Sequence, residues 1–131
     1  MTIETVRIDD QGREQLIRLK RHTGVENWNV LCRWAFCASL AERTRPSMRL
    51  FRGEPAVEIS WRVFGGPHHE LYLALLKQRC REDGLGLDSS TLHEQFRLHL
   101  HRGLGYLSAD RTVRSIGGLA EKTAAVQMDM A

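Results

Sequence analysis

In the N-terminal third of the chain, apolar residues recur first with the period of a strand and then with that of a helix. Val6 and Ile8 are separated by one polar residue, a pattern typical of a short strand. Asp9 or Asp10 can cap the helix that follows, because a carboxylate accepts the free N–H groups of a first helical turn. We expect this helix to extend to about His22.

The first helix has an apolar side and a basic side. Leu16, Ile17 and Leu19 are predicted to face the core. The cations available on its outer side are Arg13, Arg18, Lys20 and Arg21. Gly24 follows where a helix commonly ends in a left-handed residue. The sequence therefore predicts a glycine turn before a second helix.

The second helix is apolar around most of its circumference, and Asn27 is predicted to cap it. The apolar positions are Trp28, Leu31, Cys32, Trp34, Ala35, Ala38 and Leu40. A helix that is apolar on all sides is normally buried. In so small a protein, this predicts either a central helix or a helix at an interface between subunits. Gly24, Trp28 and Trp34 are the candidate residues for the turn and the interface.

The rest of the chain is predicted to add one strand and two helices. The segments are a basic linker at Arg43–Gly53, a strand at Ala56–Phe64, a helix from His68 to about Asp83 and a helix from Thr91 to about Arg102. The positions predicted to face inward are Val57, Ile59, Trp61 and Val63 in the strand, Leu71, Leu75, Leu76 and Cys80 in the first helix, and Leu92, Phe96 and Leu100 in the second. Thr91 and Glu94 match a capping box, and Gly103 and Gly105 are interpreted as turn glycines.

These elements predict a mainly α-helical fold with two short β-strands. The length of 131 residues suits a single compact domain, 1–131. Residues 1–4 and 118–131 are expected to be flexible, and a weak helix is expected after Ser115. The N-terminal strand, helix, turn and helix follow the order of a ribbon-helix-helix unit.

Basic charge is concentrated in the N-terminal part of the chain. The net charge is only +3, but residues 7–52 contain ten Lys or Arg and five Asp or Glu. Sixteen of the nineteen cations are Arg, whose planar group suits phosphate and carboxylate. This distribution favours an anionic partner such as nucleic acid, although a GC-rich coding sequence would produce the same bias toward Arg.

The sequence offers little for catalysis or metal binding. Cys32 and Cys37 are five residues apart on an apolar helix, and the odd count of three cysteines argues against a disulfide framework. No two histidines are four residues apart, as a helical zinc pair requires. We expect the histidines to lie at the surface or at caps, and we predict no catalytic residue, no metal and no cofactor.

A ribbon-helix-helix regulator is one alternative that the N-terminal unit leaves open. In such proteins a strand enters the major groove, and Thr5 and Arg7 would be the outward side chains. Glu26 fits poorly, because a carboxylate at the start of the second helix repels the phosphate that a helix N terminus often binds.

The stretch Gln15–Leu40, QLIRLKRHTGVENWNVLCRWAFCASL, closely resembles the N-terminal region of the DndE family of DNA sulfur modification proteins. The similarity continues at Ile59, at Gly84–Leu87 and at His99–Tyr106, and it fades after about Ser115. The stretch is specific because it fixes the spacing of Trp, Asn and Cys.

The resemblance implies a role in bacterial DNA phosphorothioation, in which sulfur replaces a non-bridging phosphate oxygen. It implies an accessory DNA-binding subunit that forms a tetramer and prefers nicked duplex DNA. The other subunits implied are a cysteine desulfurase, an ATP-pyrophosphatase-like sulfur-transfer protein and an SMC-like ATPase. The basic residues of this chain in the matching stretch are Arg18, Lys20, Arg21 and Arg33.

The sequence thus leads to the hypothesis of a non-catalytic, oligomeric, cytoplasmic DNA-binding subunit without a membrane anchor. Arg18, Lys20 and Arg21 are the first candidates for phosphate contacts. The second candidates, all in the linker, are Arg43, Arg45, Arg49 and Arg52. A ribbon-helix-helix transcriptional regulator and an assembly adaptor that binds only proteins are the alternatives, with a hydrolase or metal enzyme a distant third.

Overall fold

The computed structural model describes residues 3–110. The elements in chain order are β1 (Thr5–Ile8), α1 (Asp10–Thr23), α2 (Trp28–Ala41), β2 (Val57–Ser60), α3 (Trp61–Gly65), a 3₁₀ turn (Gly66–His68), α4 (His69–Glu82) and α5 (Ser89–Ala109). This confirms a mainly helical fold with two short strands. The helix expected after Ser115 and the flexible segment 118–131 lie outside the described residues, as do residues 1 and 2.

β1 and β2 form an antiparallel pair within the chain. Val6 lies opposite Ile59, and Arg7 lies opposite Glu58. Val6 and Ile8 are buried, as their alternation predicts. In a ribbon-helix-helix dimer the first strand pairs with its own copy in the second chain. Here β1 pairs with β2, so the likeness to that unit is limited to the order of the elements.

The two central helices, α2 and α5, pack closely against each other. A Cβ atom on Gly103 of α5 would lie 1.7 Å from the carbonyl oxygen of Ala35 in α2, so only glycine permits this approach. The interpretation of Gly103 and Gly105 as turn glycines is therefore wrong. The helix predicted to end near Arg102 continues to Ala109.

An aromatic cluster joins α2, α3 and α5 in the core. The ring of Phe36 lies 5.0 Å from that of Phe96 and 6.0 Å from that of Phe64. Trp61 meets Phe96 edge to face, with the ring centroids 4.9 Å apart. Such aromatic pairs stabilise a core beyond their buried area, so these side chains fix how the three helices pack.

The strand predicted at Ala56–Phe64 is too long, because its second half is helix α3. The Ser60 hydroxyl accepts a hydrogen bond from the N–H of Val63 at 3.1 Å and caps this helix. Trp61 and Phe64 are buried one helical turn apart, whereas Val63 is 53% exposed. The alternation of apolar residues did not distinguish a strand from a strand that ends in a short helix.

Ile17, Leu71 and Leu75, three of the residues predicted to face the core, lie on the solvent side. The buried stripe of α1 consists of Gly12, Leu16, Leu19 and Thr23. Ile17 precedes Leu19 by two residues, which places it about 160° away around the helix. In α4 the buried positions are Leu76, Arg79 and Cys80.

Carboxylates cap two of the long helices. The side chain of Asp9 accepts the N–H of Gly12 at 2.7 Å, which confirms the predicted cap of α1. The capping box predicted at Thr91 is wrong, because Asp88 is the cap of α5 and accepts the Thr91 N–H at 3.1 Å. Hydrogen bonds from Thr91 and Ser90 lower the pKa of Asp88 to about 2.

Candidate nucleic-acid interface

The last two turns of α1 present the first set of predicted phosphate contacts to solvent. Arg18, Lys20 and Arg21 are exposed, and their side chains form no hydrogen bond or ion pair within residues 3–110. Cations near a helix C terminus also interact favourably with the helix dipole. These positions therefore benefit the helix and leave the charges available to a ligand.

Gly24 ends α1 in the left-handed conformation, with φ of 74°, which confirms the predicted turn. Its N–H donates to the carbonyl of Lys20 at 2.9 Å. A Cβ atom at this position would meet nothing within 4 Å. The glycine is therefore required by the backbone conformation and not by close packing within the chain.

The linker Arg43–Gly53 carries the second set. Arg43, Arg45 and Arg52 are exposed, and their side chains also lack a partner in the described range. Arg49 differs, because its guanidinium contacts the carboxylate of Asp9. Three of the four linker arginines are thus as available to an anion as those of α1.

A buried arginine that the sequence did not single out anchors the start of the linker. Arg79 of α4 donates to the carbonyls of Leu40 and Glu42, each at 2.7 Å, and of Thr44 at 2.8 Å. Its Nε lies 3.2 Å from the carboxylate of Asp83. The last carbonyls of a helix lack partners within the helix, so Arg79 satisfies the C-terminal end of α2.

A second arginine, Arg102 of α5, contacts the same end of α2. It donates to the Ser39 carbonyl at 2.7 Å and to the Thr44 carbonyl at 2.8 Å, and its Nε donates to the Ser39 hydroxyl at 2.8 Å. That hydroxyl in turn lies 2.8 Å from Nδ1 of His99. Burial, followed by the charges of Arg79 and Arg102, lowers the pKa of His99 to about 3. His99 is therefore neutral, and its Nδ1 shares a hydrogen bond with the Ser39 hydroxyl.

The end of the linker packs on α5 through Phe51. The guanidinium carbons of Arg49 and Arg97 lie 4.6 Å and 4.1 Å from the centre of its ring. The ring of His101 lies 4.6 Å from it. His101 accepts the N–H of Asp9 at Nε2 and contacts the carbonyl of Arg97 through Nδ1 at 2.8 Å. Because Nε2 accepts this N–H, the geometry indicates the Nδ1–H tautomer, and burial lowers the pKa of His101.

Arg49 of the linker lies beside the start of α1, whereas Arg18, Lys20 and Arg21 lie nearer the end of that helix. The contact between Arg49 and Asp9 places the linker beside the start of the helix. Arg18 is nine residues further along, which corresponds to about 14 Å of helix. This separation spans about four base pairs of duplex, at about 3.4 Å for each. Arg49 and the cations of α1 do not form one cluster, but the distance between them falls within the length of a short DNA site.

Trp28 and Trp34 of α2 are half-buried and pack against the core from its edge. The buried stripe of the helix is Leu31, Cys32, Ala35, Phe36 and Ser39. Asn27 occupies the N-cap position, but its side chain makes no hydrogen bond to the helix. The structure confirms a central position for α2. The outer halves of the two tryptophans are free to meet another surface.

The pKa values of the three cysteine thiols are raised, and two of the imidazoles are buried. Burial raises the pKa of Cys32 to about 12, and it also raises the pKa values of Cys37 and Cys80. The prediction of surface or capping histidines is wrong for His99 and His101, which are buried between helices. In the described part of the chain, no three His, Cys, Asp or Glu side chains are grouped closely enough to hold a metal ion. None of the helices there has the length and apolar character needed to cross a bilayer.

The fold and the surface define a small helical protein with free arginines and a free lysine on one helix and on the linker. The family model of the DNA sulphur modification protein DndE matches residues 5–115, and the chain therefore belongs to the DndE family. This confirms the resemblance carried by Gln15–Leu40.

Two solved structures have the same fold. One is DndE from Escherichia coli B7A, involved in DNA phosphorothioation modification, which is 21% identical with a TM-score of 0.68. The other is a double Gly-to-Lys mutant of DndE, involved in DNA phosphorothioation, which is 20% identical with a TM-score of 0.62. Each comparison covers 82% of this chain and 98% of the other. No curated protein matches the chain.

Proposed function

We propose that this protein is a non-catalytic DNA-binding accessory subunit of the DNA phosphorothioate modification system. The observation that carries the proposal is the set of exposed cations on α1, Arg18, Lys20 and Arg21, that have no partner within residues 3–110. Free cations on a rigid helix can neutralise phosphates without first breaking an internal ion pair. The linker residues Arg43, Arg45 and Arg52 extend the contact with DNA. Arg49 also takes part in this contact, and its guanidinium stays beside Asp9.

The accessory, non-enzymatic part of the proposal rests on the state of the buried groups. Cys32 is a neutral thiol at physiological pH, because its pKa is raised to about 12. His99 is hydrogen-bonded to the Ser39 hydroxyl, and the pKa of its ring is too low for acid–base work near pH 7. These side chains support the fold. The sulfur chemistry is carried out by other subunits, a cysteine desulfurase and an ATP-pyrophosphatase-like sulfur-transfer protein, and an SMC-like ATPase completes the system.

The proposed assembly is a homotetramer in the cytoplasm that prefers nicked to intact duplex DNA. The support from the structure is the half-buried pair Trp28 and Trp34, and the open surroundings of the Gly24 turn. We expect Gly24→Lys to place a charge at the contact and to reduce the molar mass measured by light scattering. An unchanged oligomer would remove Gly24 from the interface.

The DNA contact is tested by binding measured over a salt series. Lys20→Gln/Arg21→Gln should weaken binding to a duplex and should reduce the log–log slope of affinity against salt by about 1.8, at about 0.9 for each phosphate that the variant no longer neutralises. Lys77→Gln/Arg81→Gln on α4 removes the same charge from another part of the surface and should leave the slope unchanged. Equal slopes for wild type and the α1 variant would exclude the assignment.

A further inference from the structure

A cavity of about 300 Å³ opens between β1, the linker and α5. The residues that line it include the basic residues Arg7, Arg49 and Arg97 and the apolar residues Leu50, Phe51 and Phe96. The volume lies at the lower end of the range of ligand pockets, about 300–1,000 Å³. The cavity is therefore large enough for a small ligand with both a charged and an apolar part.

Each of the three guanidinium groups is held in position by a contact with a neighbouring residue. Arg7 pairs across the sheet with Glu58 at 3.6 Å, and Arg49 contacts Asp9. Arg97 donates from Nε to the carbonyl of Arg7 at 3.1 Å. The terminal nitrogens of Arg97 have no hydrogen bond within residues 3–110. The guanidinium of Arg97 is therefore fixed in position, and its two terminal nitrogens are available for bidentate hydrogen bonding to a phosphate.

The charges around the cavity are only partly balanced. Burial lowers the pKa of Arg97, and the neighbouring charges of Arg7 and Arg49 lower it further while Asp9 opposes them. An anion between the arginines would relieve this repulsion. The other titratable side chains at the wall are His93 and Glu94.

Glu94 distinguishes between possible anions. Glu94 lines the same cavity, and its negative charge repels a bare phosphate or sulfate. A carboxylate accepts hydrogen bonds from hydroxyl and amino groups. The wall therefore suits a ligand with an anionic end toward the arginines, a donor group toward Glu94, and an apolar or planar part against Leu50, which is 76% exposed at the linker.

We propose that this cavity binds a nucleoside 5′-phosphate, with the phosphate on Arg7 and Arg97 and the nucleoside between Leu50 and Glu94. A free nucleotide and the phosphorylated end of a DNA strand share this chemistry. The proposal rests on the proposed DNA-binding function only where the strand end is the source of the ligand. The cavity lies beside β1, so it is separate from the exposed cations Arg18, Lys20 and Arg21.

The first experiment measures binding of deoxyadenosine 5′-phosphate and of deoxyadenosine by calorimetry. We expect the phosphate to strengthen binding at least about tenfold, which corresponds to about 1.4 kcal/mol. Arg97→Gln and Arg7→Gln should each lose at least about this factor. Arg81→Gln, on the exposed face of α4, is the charge-matched control and should bind normally. Equal binding of nucleotide and nucleoside would overturn the proposal, and so would equal losses in all three variants.

Further measurements identify the source of the ligand and detect a folding defect in a variant. Thermal unfolding of each variant identifies any that is misfolded, and Arg7→Gln, whose side chain is half exposed, is the variant expected to remain folded. DNA hairpins with a 5′-phosphate or a 5′-hydroxyl then compete with the nucleotide. Preference for the phosphorylated hairpin supports a strand end, and binding of the nucleotide alone supports a free nucleotide. Binding of neither overturns the proposal.

A closed circular duplex separates this proposal from the proposed function, because it has no strand end. Wild type and Arg7→Gln should bind it equally. If wild type fails to bind the circle but binds the nucleotide, binding to intact duplex fails and the cavity proposal stands. If Arg7→Gln binds the circle normally and wild type ignores the nucleotide, the cavity proposal alone fails.

Discussion

The close approach of α2 and α5 at Gly103 makes Gly103→Ala the most informative stability variant. The added Cβ would lie 1.7 Å from the carbonyl oxygen of Ala35 and 2.9 Å from its Cα. A carbon normally stays about 3.3 Å or more from a carbonyl oxygen, so one backbone must move by about 1.6 Å. Overpacking in a core costs about 1–3 kcal/mol, and the neighbour here is a backbone that cannot rotate away. Alanine regains about 1 kcal/mol of helix propensity. Because the clash is with a backbone, the upper end of the overpacking cost applies, and we expect a net loss of about 2 kcal/mol in the free energy of unfolding.

Gly105→Ala is the matched control for this prediction. Gly105 lies in the same helix, but the nearest atom to its added Cβ is the amide nitrogen of Gln15 at 3.9 Å. With propensity gained and no clash, this variant should stabilise the protein by about 0.5–1 kcal/mol. Urea unfolding followed by circular dichroism measures both. If Gly103→Ala were as stable as Gly105→Ala, the packing of α2 against α5 described above would be wrong.

Three further predictions concern buried groups and the turn. The pKa of His99 is lowered to about 3 in the folded protein, so as the pH falls the unfolded chain takes up a proton at this imidazole before the folded chain does. The contribution of His99 to the free energy of unfolding is therefore fully present above about pH 6.5 and decreases below it by up to about 1.4 kcal/mol per pH unit. His99→Gln should remove this contribution to the pH dependence of stability between about pH 6.5 and 4.5, and an unchanged pH dependence would refute it. Arg79→Leu leaves Asp83 and three carbonyls without their partner and should cost about 3–5 kcal/mol in urea unfolding, whereas Arg81→Leu at the surface should cost about 0.5 kcal/mol or less. Gly24→Ala should cost about 1–2 kcal/mol through its φ of 74° alone, and a neutral effect would contradict the left-handed turn.

Local signals in the sequence predicted α1 well, because its caps at Asp9 and Gly24 and its stripe through Leu16 and Leu19 are all set within a few residues. They failed at Trp61, where an apolar alternation continued from a strand into a short helix. A pattern of only a few apolar residues fits the period of a strand and the period of a helix equally well.

Long-range features could not be predicted from the sequence. Arg79 contacts carbonyls 35 to 39 residues away, and Arg102 contacts Ser39 from 63 residues away. Nothing local distinguishes these buried arginines from the exposed ones. Gly103 likewise resembles a turn glycine until the two central helices are packed.

The exposure of the candidate cations was predicted in part. Arg18, Lys20 and Arg21 are exposed and unpaired within the described residues, which is the condition that a phosphate contact requires. Arg49 was assigned with the other linker arginines, but its contact with Asp9 and its position in the cavity became visible only in the fold. The contact of these residues with DNA stays a prediction.

Fluorescence anisotropy can decide whether this member of the DndE family binds duplex DNA through its exposed cations. The measurement compares one labelled duplex, intact or with a single nick, at low and at physiological salt. We expect salt-sensitive binding to both forms, tighter for the nicked duplex. Absence of binding to either duplex at low salt would show that the proposed DNA-binding function is wrong.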